Sequence, residues 1–421
     1  DVKPRTLSFN SFSKPFITEI TVIKIDIPNI IPNTDIFDII FMKLELLFDR
    51  RNLYANNNRI KILYHRVIMN QANKKRLTFL EDDKSTGIIL VWPSIYENQF
   101  FWSGLLRIYY ELIITCLESD KSIFLVIKKE RDINNDLKLI NRNINQLLRD
   151  KASLFQVFEA EYDDIWIRDH GPQTLIEKSS GNYYFNTSRF NGYGNKYYCE
   201  NDKKLSIELI KKFRNLGNPY KKTIFEIFNG MIIEPGNITF NDNLFIINKY
   251  PLVAHNKLDW TTIKQILKEN IEVFLGAEYK IINTAPISGD DTNGHIDNLV
   301  RLESSNYLYY MATNDSEHPD FELLKNLKEQ IMRIDLKNKN IIPLYHDRQD
   351  VVRDSNNNIL PFSYLNYIRI GNLVIMPANK NTTIEKRNKV RENFKYAEVI
   401  FIDTSELLNE KGSLHCCSMN F

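Results

Sequence analysis

The sequence predicts an α/β protein that is built from one repeated module of two strands, a helix and a further strand. From about residue 79 onward, short apolar strands alternate with amphipathic helices. Segments typical of strand pairs recur at intervals of about 50 to 70 residues, which indicates an internal repeat. With 421 residues and 43% hydrophobic side chains, the chain is large enough to bury a sizeable core.

The repeated units begin with predicted hairpins, each of which turns at a short polar or glycine-containing segment. The turns are Ser-Ser-Gly, Asn-Asp-Asn, Glu-Ser-Ser-Asn and Ile-Gly-Asn in chain order. The four hairpins cover residues 165–190, 231–248, 294–312 and 363–379. Predicted helices follow them at residues 202–216, 260–270, 320–334 and 385–393. An earlier unit combines the apolar strand 88–92 with a helix from about residue 99 to about residue 119.

Residues 1–78 lack a clear period, and we interpret them as an N-terminal extension of a main domain at residues 79–421. Within the extension, residues 37–51 have a helical pattern and residues 52–59 read as a loop. The extension contains no motif that decides between capping the main domain, mediating dimerisation and forming a poorly ordered tail.

Composition excludes several classes of function. The 55 basic and 53 acidic residues give a net charge of +2, without the basic cluster that is typical of nucleic-acid binding. The longest apolar runs are strand-sized, so no membrane partner is expected. Four cysteines do not make a disulfide framework, which favours a reducing, cytoplasmic location. No signal peptide is visible, but the sequence starts at Asp1, so a removed leader is left open. We expect a small-molecule partner, and a homodimer remains open.

Potentially reactive side chains lie near the start of the first strand in each predicted hairpin. If the modules surround a common axis, these groups converge on one pocket. If residues 295–297 form a strand, His295 and Asp297 point the same way, because alternate strand positions share a face. The set consists of Asp169, Glu234, His295, Asp297, Asn366 and, in a last short strand, His415 and Cys416.

A cysteine together with a histidine is a common arrangement for covalent catalysis, in which the thiolate attacks and the imidazole transfers protons. The neighbouring carboxylates would oppose formation of a thiolate by like-charge repulsion. They suit a cationic substrate, because a planar guanidinium offers N–H donors that carboxylates accept in pairs. These residue types therefore predict attack of sulfur on a guanidinium carbon.

The motifs that carry these residues resemble those of the agmatine deiminases and, more broadly, of guanidine-modifying enzymes such as the peptidyl-arginine deiminases. They occur in the family's order over residues 79–421, and "DTNGHID" and "WxRDxGP" are the most specific. The motifs are DDIWIRDHGP (163–172), RFNGYG (189–194), EPGNI (234–238), DDTNGHIDN (290–298), SYLNY (363–367) and GSLHC (412–416).

The resemblance implies a fold and a reaction. The implied fold is a five-bladed, pseudo-symmetric α/β propeller, or pentein, with the site on its axis. The implied reaction is the hydrolytic deimination of agmatine to N-carbamoylputrescine and ammonia, a step of polyamine and putrescine biosynthesis. Deimination of free or peptidyl arginine to citrulline is the runner-up. The resemblance implies no metal and no organic cofactor.

The resemblance also implies residue roles. Cys416 would be the nucleophile and form a covalent amidino intermediate, and His295 would protonate the leaving ammonia and then activate water. Glu234 would orient His295. The implied substrate-binding and pocket residues are Asp169, Asp297, Asn366, Trp166 and Tyr193. We expect Gly412 to permit the close approach of this segment, and Cys417 to be a packing residue, since neighbouring strand positions face opposite ways.

Other interpretations remain open. Cys416, Cys417, His415 and His295 could be zinc ligands, although adjacent cysteines diverge on a strand and make a poor chelate. The chain could also be a non-catalytic binding module on the same fold.

Single residues have structural alternatives as well. Asp169 could be the salt-bridge partner of Arg168, and Glu234 could cap the backbone. We expect Cys116 and Cys199 to be inert core residues. The histidines expected to be solvated or to lie in loops are His65, His255, His318 and His346.

The chain departs from the family pattern at three positions. Pro235 replaces a glycine, Tyr193 replaces a tryptophan, and His170 stands where a small hydroxyl residue is common. Tyr193 and His170 are expected near the pocket, so these departures affect the substrate preference more than the type of reaction.

Overall fold

The computed structural model of the protein describes residues 77–93, 102–129, 144–215, 220–303, 307–334, 336 and 339–421. The helix predicted at 37–51, the loop at 52–59, His65 and the rest of residues 1–76 lie outside the described residues. Leu77 and Thr78, the last residues of the predicted extension, belong to the strand Leu77–Phe79, which pairs antiparallel with Gln173–Glu177.

Among the described residues, five sheets repeat one order: an antiparallel pair of strands is followed by a third strand that runs parallel to the second. The strands of these sheets are Gln173–Glu177, Tyr183–Asn186 and Tyr220–Phe225; Ile238–Asn241, Leu244–Asn248 and Glu278–Ile282; Val300–Leu302, Tyr307–Ala312 and Asn340–Tyr345; Ile368–Ile370, Leu373–Ala378 and Glu398–Asp403; Ser418–Asn420, Gly87–Val91 and Ser122–Ile127. The predicted order of two strands, a helix and a strand is therefore confirmed.

Helices connect the second strand of each sheet to the third, as parallel neighbours require a crossover. The connecting helices are Trp102–Glu118, Asp202–Asn215, Lys249–His255 with Trp260–Leu267, Phe321–Arg333 and Ile384–Arg391. A π-helical segment, Lys268–Leu275, continues the second of the paired helices and ends at Gly276, whose positive φ of 68° stops it. The predicted helices lie within a few residues of these bounds.

Further elements extend the sheets or link them. Phe155–Glu159 adds a parallel strand beside Ser122–Ile127, and Val352–Arg353 pairs with Ile359–Leu360. Two further short helices are Ile144–Asp150 and Ser405–Asn409. Within the described part of the chain, no helix is both long and apolar enough to cross a membrane.

The strand Gly87–Val91 shows how the core forms. Its side chains alternate between two apolar clusters, with Ile88 and Leu90 on one side and Ile89 and Val91 on the other. All four are fully buried, so this strand is apolar on both faces and reads as a continuous hydrophobic run. Each such side chain contributes about 1.5 to 3 kcal/mol through burial. Ser418–Asn420 pairs with this strand and is thereby tied to the core.

Candidate active site

Each predicted reactive residue lies in, or directly before, a short turn that leads into the first strand of its sheet. Asp169 lies in the one-turn helix Ile167–His170, and Glu234 directly precedes the 3-10 turn Pro235–Asn237. His295 precedes a second 3-10 turn, Ile296–Asn298, which contains Asp297. The strand predicted for His295 and Asp297 is therefore wrong. Strand side chains stand perpendicular to their sheet, so only residues outside the strand can reach past its end.

Asn366 and Cys416 follow the same rule. Asn366 lies in a turn before Ile368–Ile370, and Cys416 lies in a turn before Ser418–Asn420. The backbone N–H groups of His415 and Cys416 donate to Asn366 Oδ1 at 2.9 and 3.3 Å. The Asn366 amide thus holds the segment that carries the thiol.

The Cys416 thiol is 7% exposed and faces polar groups from two other turns. Asn366 Nδ2 lies 3.2 Å from Sγ, and Asp297 Oδ2 lies 3.8 Å from it. Burial, followed by the charges of Asp297 and Asp169, raises the pKa of the Cys416 thiol well above its ordinary value. Without a bound cation, the thiol is therefore protonated at neutral pH.

His295 lies between two carboxylates and is 1% exposed. Its Nδ1 is 3.5 Å from Asp169 Oδ1, and its Nε2 is 3.9 Å from Glu234 Oε2. Burial by itself would lower the pKa of His295, but Asp169, Glu234 and Asp297 outweigh it and raise the pKa to about 10. The imidazole is therefore a protonated group that can donate a proton at neutral pH.

The carboxylate of Asp169 is held by two donors. Tyr193 Oη donates to Oδ2 at 2.9 Å, and the backbone N–H of Gly236 donates to Oδ1 at 3.0 Å. A Cβ atom on Gly236 would lie 2.6 Å from Asp169 Oδ1 and 2.8 Å from His295 Nδ1, so a glycine is required at this position. Burial raises the pKa of Asp169, against the opposing charge of His295.

Asp297 contacts both the Cys416 thiol and the imidazole of the preceding residue, His415. His415 Nδ1 lies 2.7 Å from Asp297 Oδ2, the same oxygen that faces Cys416. Burial raises the pKa of Asp297 to about 7, with Asp169 adding to the rise and His295 opposing it. Burial and the charges of Arg168 and Arg301 lower the pKa of His415 well below its ordinary value, so His415 is neutral and Nδ1–H donates to Asp297.

Glu234 has a histidine partner that the sequence did not indicate. His255 Nδ1 lies 2.9 Å from Glu234 Oε1, and both side chains are buried. Burial would raise the pKa of Glu234, but His255 and His295 lower it to about 2. Glu234 makes no side-chain cap to the turn that follows it, which argues against a capping role.

His255, His318 and His346 were expected to be solvated or to lie in loops; His318 and His346 do lie in loops, but none of the three is solvated. Their relative exposures are 5%, 6% and 1%. His255 ends the helix Lys249–His255, where its ring reaches Glu234. His346 Nε2 accepts from the Tyr364 backbone N–H, which satisfies a polar side chain inside the core. Each lies in a segment too short for a hydrophobic period to indicate which side is buried.

Arg168 and Trp166 line the site's surroundings rather than its reacting atoms. Arg168 donates to His415 O at 3.3 Å and to Asn420 Oδ1 at 2.9 Å, so its hydrogen bonds go to the last segment of the chain and Asp169 is left for the site. The Trp166 ring lies over Gly412, where an added Cβ would come within 2.3 Å of it. The predicted close approach at Gly412 is confirmed.

The other thiols are packing residues. Cys417 is fully buried in an apolar cluster, and its Sγ donates to Leu414 O at 3.3 Å. Cys116 lies in the same cluster, and Cys199 packs with Phe190 and Tyr193. The zinc interpretation fails at Cys417, because this thiol lies in the core while Cys416 faces Asp297.

His170 sits in a second polar cluster beside the site. Its Nε2 lies 3.3 Å from Asp164 Oδ1 and 3.8 Å from Asp202 Oδ1. Burial would lower the pKa of His170, but Asp202 and Asp164 raise it to about 9. Asp164, His170 and Asp202 are close enough to hold a cation together, but a protonated His170 already contacts both carboxylates, and we assign no metal to them. Glu234, His255 and His295 also lie close together, but Glu234 and His255 bond each other, and we assign no metal to them.

The sequence profile of the Porphyromonas-type peptidyl-arginine deiminases matches residues 79–421. The chain belongs to this family. The resemblance predicted from the motifs is thereby confirmed.

Related proteins align with most of the length of this chain, at low sequence identity. A Mycoplasma mycoides protein that bears the name "Putative agmatine deiminase" is 24% identical over 378 residues, which are 83% of this chain and 96% of that protein. The agmatine deiminase of Pseudomonas fluorescens is 23% identical over 294 residues, which are 62% and 75% of the two chains.

A solved structure shows the same fold. A cysteine-to-serine variant of C. jejuni agmatine deiminase with substrate bound aligns with 82% of this chain and 96% of its own, with a TM-score of 0.67 and 22% identity. The mixed α/β fold of the family is thereby confirmed for this chain.

Proposed function

We propose that the protein hydrolyses the guanidinium group of agmatine to N-carbamoylputrescine and ammonia. One observation carries the proposal: the Cys416 thiol, the His295 imidazole and the carboxylates of Asp169 and Asp297 share one buried site. The names of the agmatine deiminases among its relatives support the same substrate.

The charges of the site favour a cationic substrate. His295 and Glu234 offset each other, which leaves Asp169 and Asp297 to accept N–H donors from a guanidinium. The bound cation offsets part of the negative charge of the two carboxylates and lowers the pKa of the Cys416 thiol, so that the thiolate forms when substrate is present. Activation of the nucleophile is then coupled to binding.

The proposed reaction has two halves. The Cys416 thiolate attacks the guanidinium carbon, and the tetrahedral adduct breaks its C–N bond as His295 gives a proton to the departing ammonia. A covalent amidino-cysteine remains. His295 then removes a proton from water, which attacks the same carbon, and the C–S bond breaks to release the ureido product and the thiolate. Glu234 keeps His295 oriented, and Asn366 holds the Cys416 segment through these steps.

Agmatine is preferred over arginine in this proposal because of where Arg168 points. An α-carboxylate needs a basic partner, and Arg168, the arginine adjacent to Asp169, donates to His415 O and Asn420 Oδ1 instead. Deimination of free or peptidyl arginine is the alternative that the assay must separate.

The finer features of fold and setting are part of the same proposal. We infer that the five sheets surround one axis as the blades of a propeller, because the reactive turns precede corresponding strands and yet meet. We also propose a cytoplasmic enzyme of polyamine biosynthesis that takes no cofactor and binds neither nucleic acid nor membrane, with residues 1–78 as an extension of the deiminase domain.

Ammonia release by the purified protein tests the function. Agmatine, free arginine and a peptide with a C-terminal arginine are compared, with Cys416→Ser as the nucleophile variant and Cys417→Ser as its matched control. Release from agmatine alone, lost in Cys416→Ser and kept in Cys417→Ser, is expected. Release from an arginine substrate would replace the substrate. Release from none of the three would contradict the proposal and favour a binding module.

A further inference from the structure

A chain of hydrogen-bonded side chains leads away from the site from the buried Glu234 through the buried His255 to the half-buried Asn293. His255 Nδ1 lies 2.9 Å from Glu234 Oε1, and Asn293 Nδ2 lies 2.9 Å from His255 Nε2. The Asn293 amide nitrogen is a donor, so Nε2 accepts and the ring hydrogen resides on Nδ1. His255 therefore donates to Glu234 and is held in this tautomer by Asn293.

His255 also joins three segments that carry site residues. Asn191 Nδ2 donates to the backbone oxygen of His255 at 3.0 Å and begins the turn that contains Tyr193. Asn293 stands two positions before His295 and has a positive φ of 64°, so its contact with His255 fixes a bend that leads directly to His295. The third segment is the one that contains Glu234, whose carboxylate is hydrogen-bonded to His255.

We propose that His255 is a positioning residue for the deiminase reaction: it holds the Glu234 carboxylate beside His295 and the bend at Asn293 in place. This inference rests on the proposed function. Glu234 Oε2 faces His295 Nε2 at 3.9 Å, and the remaining oxygen, Oε1, is the one that His255 binds. With one oxygen anchored, the carboxylate cannot turn away from the imidazole.

The charge around His295 shows what such an anchor contributes. Without the hydrogen bond from His255, the Glu234 carboxylate can rotate away, and its field at His295 weakens. His295 then holds its proton less firmly and is a poorer donor to the leaving ammonia at alkaline pH. The titratable groups that face His295 are Asp169, Glu234, His255, Asp290, Asp297, Tyr193 and His415.

Two substitutions separate positioning from mere packing. His255→Phe keeps a ring of similar size and removes both hydrogen bonds. His255→Asn places an amide nitrogen close to the position of Nδ1, so it can still donate to Glu234. His318→Phe, at another buried histidine outside the site, is the matched control for the loss of a buried imidazole.

Kinetics and the protonation of His295 are measured in the full-length protein. We expect His255→Phe to lower kcat up to about a hundredfold with KM within about twofold, because Asp169 and Asp297 still hold the guanidinium. The alkaline limb of the pH–kcat profile should move to lower pH by about one unit, and His255→Asn should restore most of kcat. His318→Phe should change neither kcat nor the profile.

NMR of the ¹³C-labelled histidine ring of His295, assigned through its loss in His295→Gln, gives a readout that needs no turnover. A pKa of His295 lower in His255→Phe than in the wild type supports the inference, even if no guanidine releases ammonia and the proposed function fails. An unchanged pKa, or equal losses of kcat in His255→Phe and His255→Asn, would overturn it while the deiminase function stands.

Discussion

Replacing Asp297 by asparagine is expected to make the Cys416 thiol more acidic while it impairs catalysis. Asp297 Oδ2 lies 3.8 Å from Sγ, and at an effective dielectric constant of about 20, two charges at this distance repel by about 4 kcal/mol. This energy corresponds to about three pKa units. Because the pKa of Asp297 itself is raised to about 7, the carboxylate is only partly ionised at neutral pH. We therefore expect Asp297→Asn to lower the thiol pKa by about one to three units.

Alkylation of Cys416 by iodoacetamide, followed by peptide mass spectrometry at several pH values, measures this change because only the thiolate reacts. The Asp297→Asn rate at neutral pH should exceed the wild-type rate about tenfold or more. The isosteric amide still accepts from His415, so the Cys416 segment keeps its support. Asp354→Asn, a surface change, is the matched control. An alkylation rate that stays the same or falls in Asp297→Asn would refute the electrostatic account of the thiol.

Three further substitutions test other contacts. Gly236→Ala should lower ammonia release about a hundredfold, because its Cβ would meet Asp169 and His295. The kcat is measured together with the melting temperature, and a near-normal kcat would contradict this close packing. Asn366→Ala should destabilise the fold by about 1 to 3 kcal/mol in denaturant unfolding, because the His415 and Cys416 N–H groups lose an acceptor. His170→Gln should remove up to about 3 kcal/mol of stability near pH 6, and none above about pH 10. Because the native state raises the pKa of His170 to about 9, protonation of His170 stabilises the fold fully at pH values below the ordinary histidine pKa, and this stabilisation is lost as the pH rises through 9. A stability difference between wild type and His170→Gln that does not depend on pH would refute the charged state assigned to His170.

The module order was predictable because local signals agree with the fold. The turn at Gly371 joins two strands that pair as expected, and its positive φ of 60° is one that glycine adopts without strain. The predicted meeting of Asp169, His295 and Cys416 follows from the same repeat, since corresponding turns precede corresponding strands.

The hydrophobic pattern of the sequence could not predict the short turns that carry the reactive residues. Ile296–Asn298 has only three residues, fewer than one helical turn, and the apolar Ile296 between the polar His295 and Asp297 also suits the alternation of a strand. Side-chain direction within such a turn depends on contacts far along the chain, such as that of Asp297 with His415.

His255 was missed for a physical reason as well. It is 21 positions from Glu234, and its helix, Lys249–His255, is too short to indicate a buried face. One signal could have suggested a partner: a glutamate expected to act beside a histidine must stay ionised when buried, and that requires a donor. The sequence contains seven histidines, and His255 is the single one between the motifs at 234–238 and 290–298.

The environment of Cys416 links the protonated state of its thiol to the proposed substrate. Burial, followed by the charges of Asp297 and Asp169, raises the pKa of the thiol, so a molecule without positive charge can enter without meeting a thiolate. In the proposed reaction a guanidinium changes this balance, because it pairs with the two carboxylates whose charges oppose ionisation of the thiol. Discrimination then depends on the same two residues as binding, and a variant that loses one of them should gain thiol reactivity while it loses turnover. Opposite changes in alkylation and in ammonia release after one substitution are the signature that distinguishes this arrangement from a thiol activated by histidine alone.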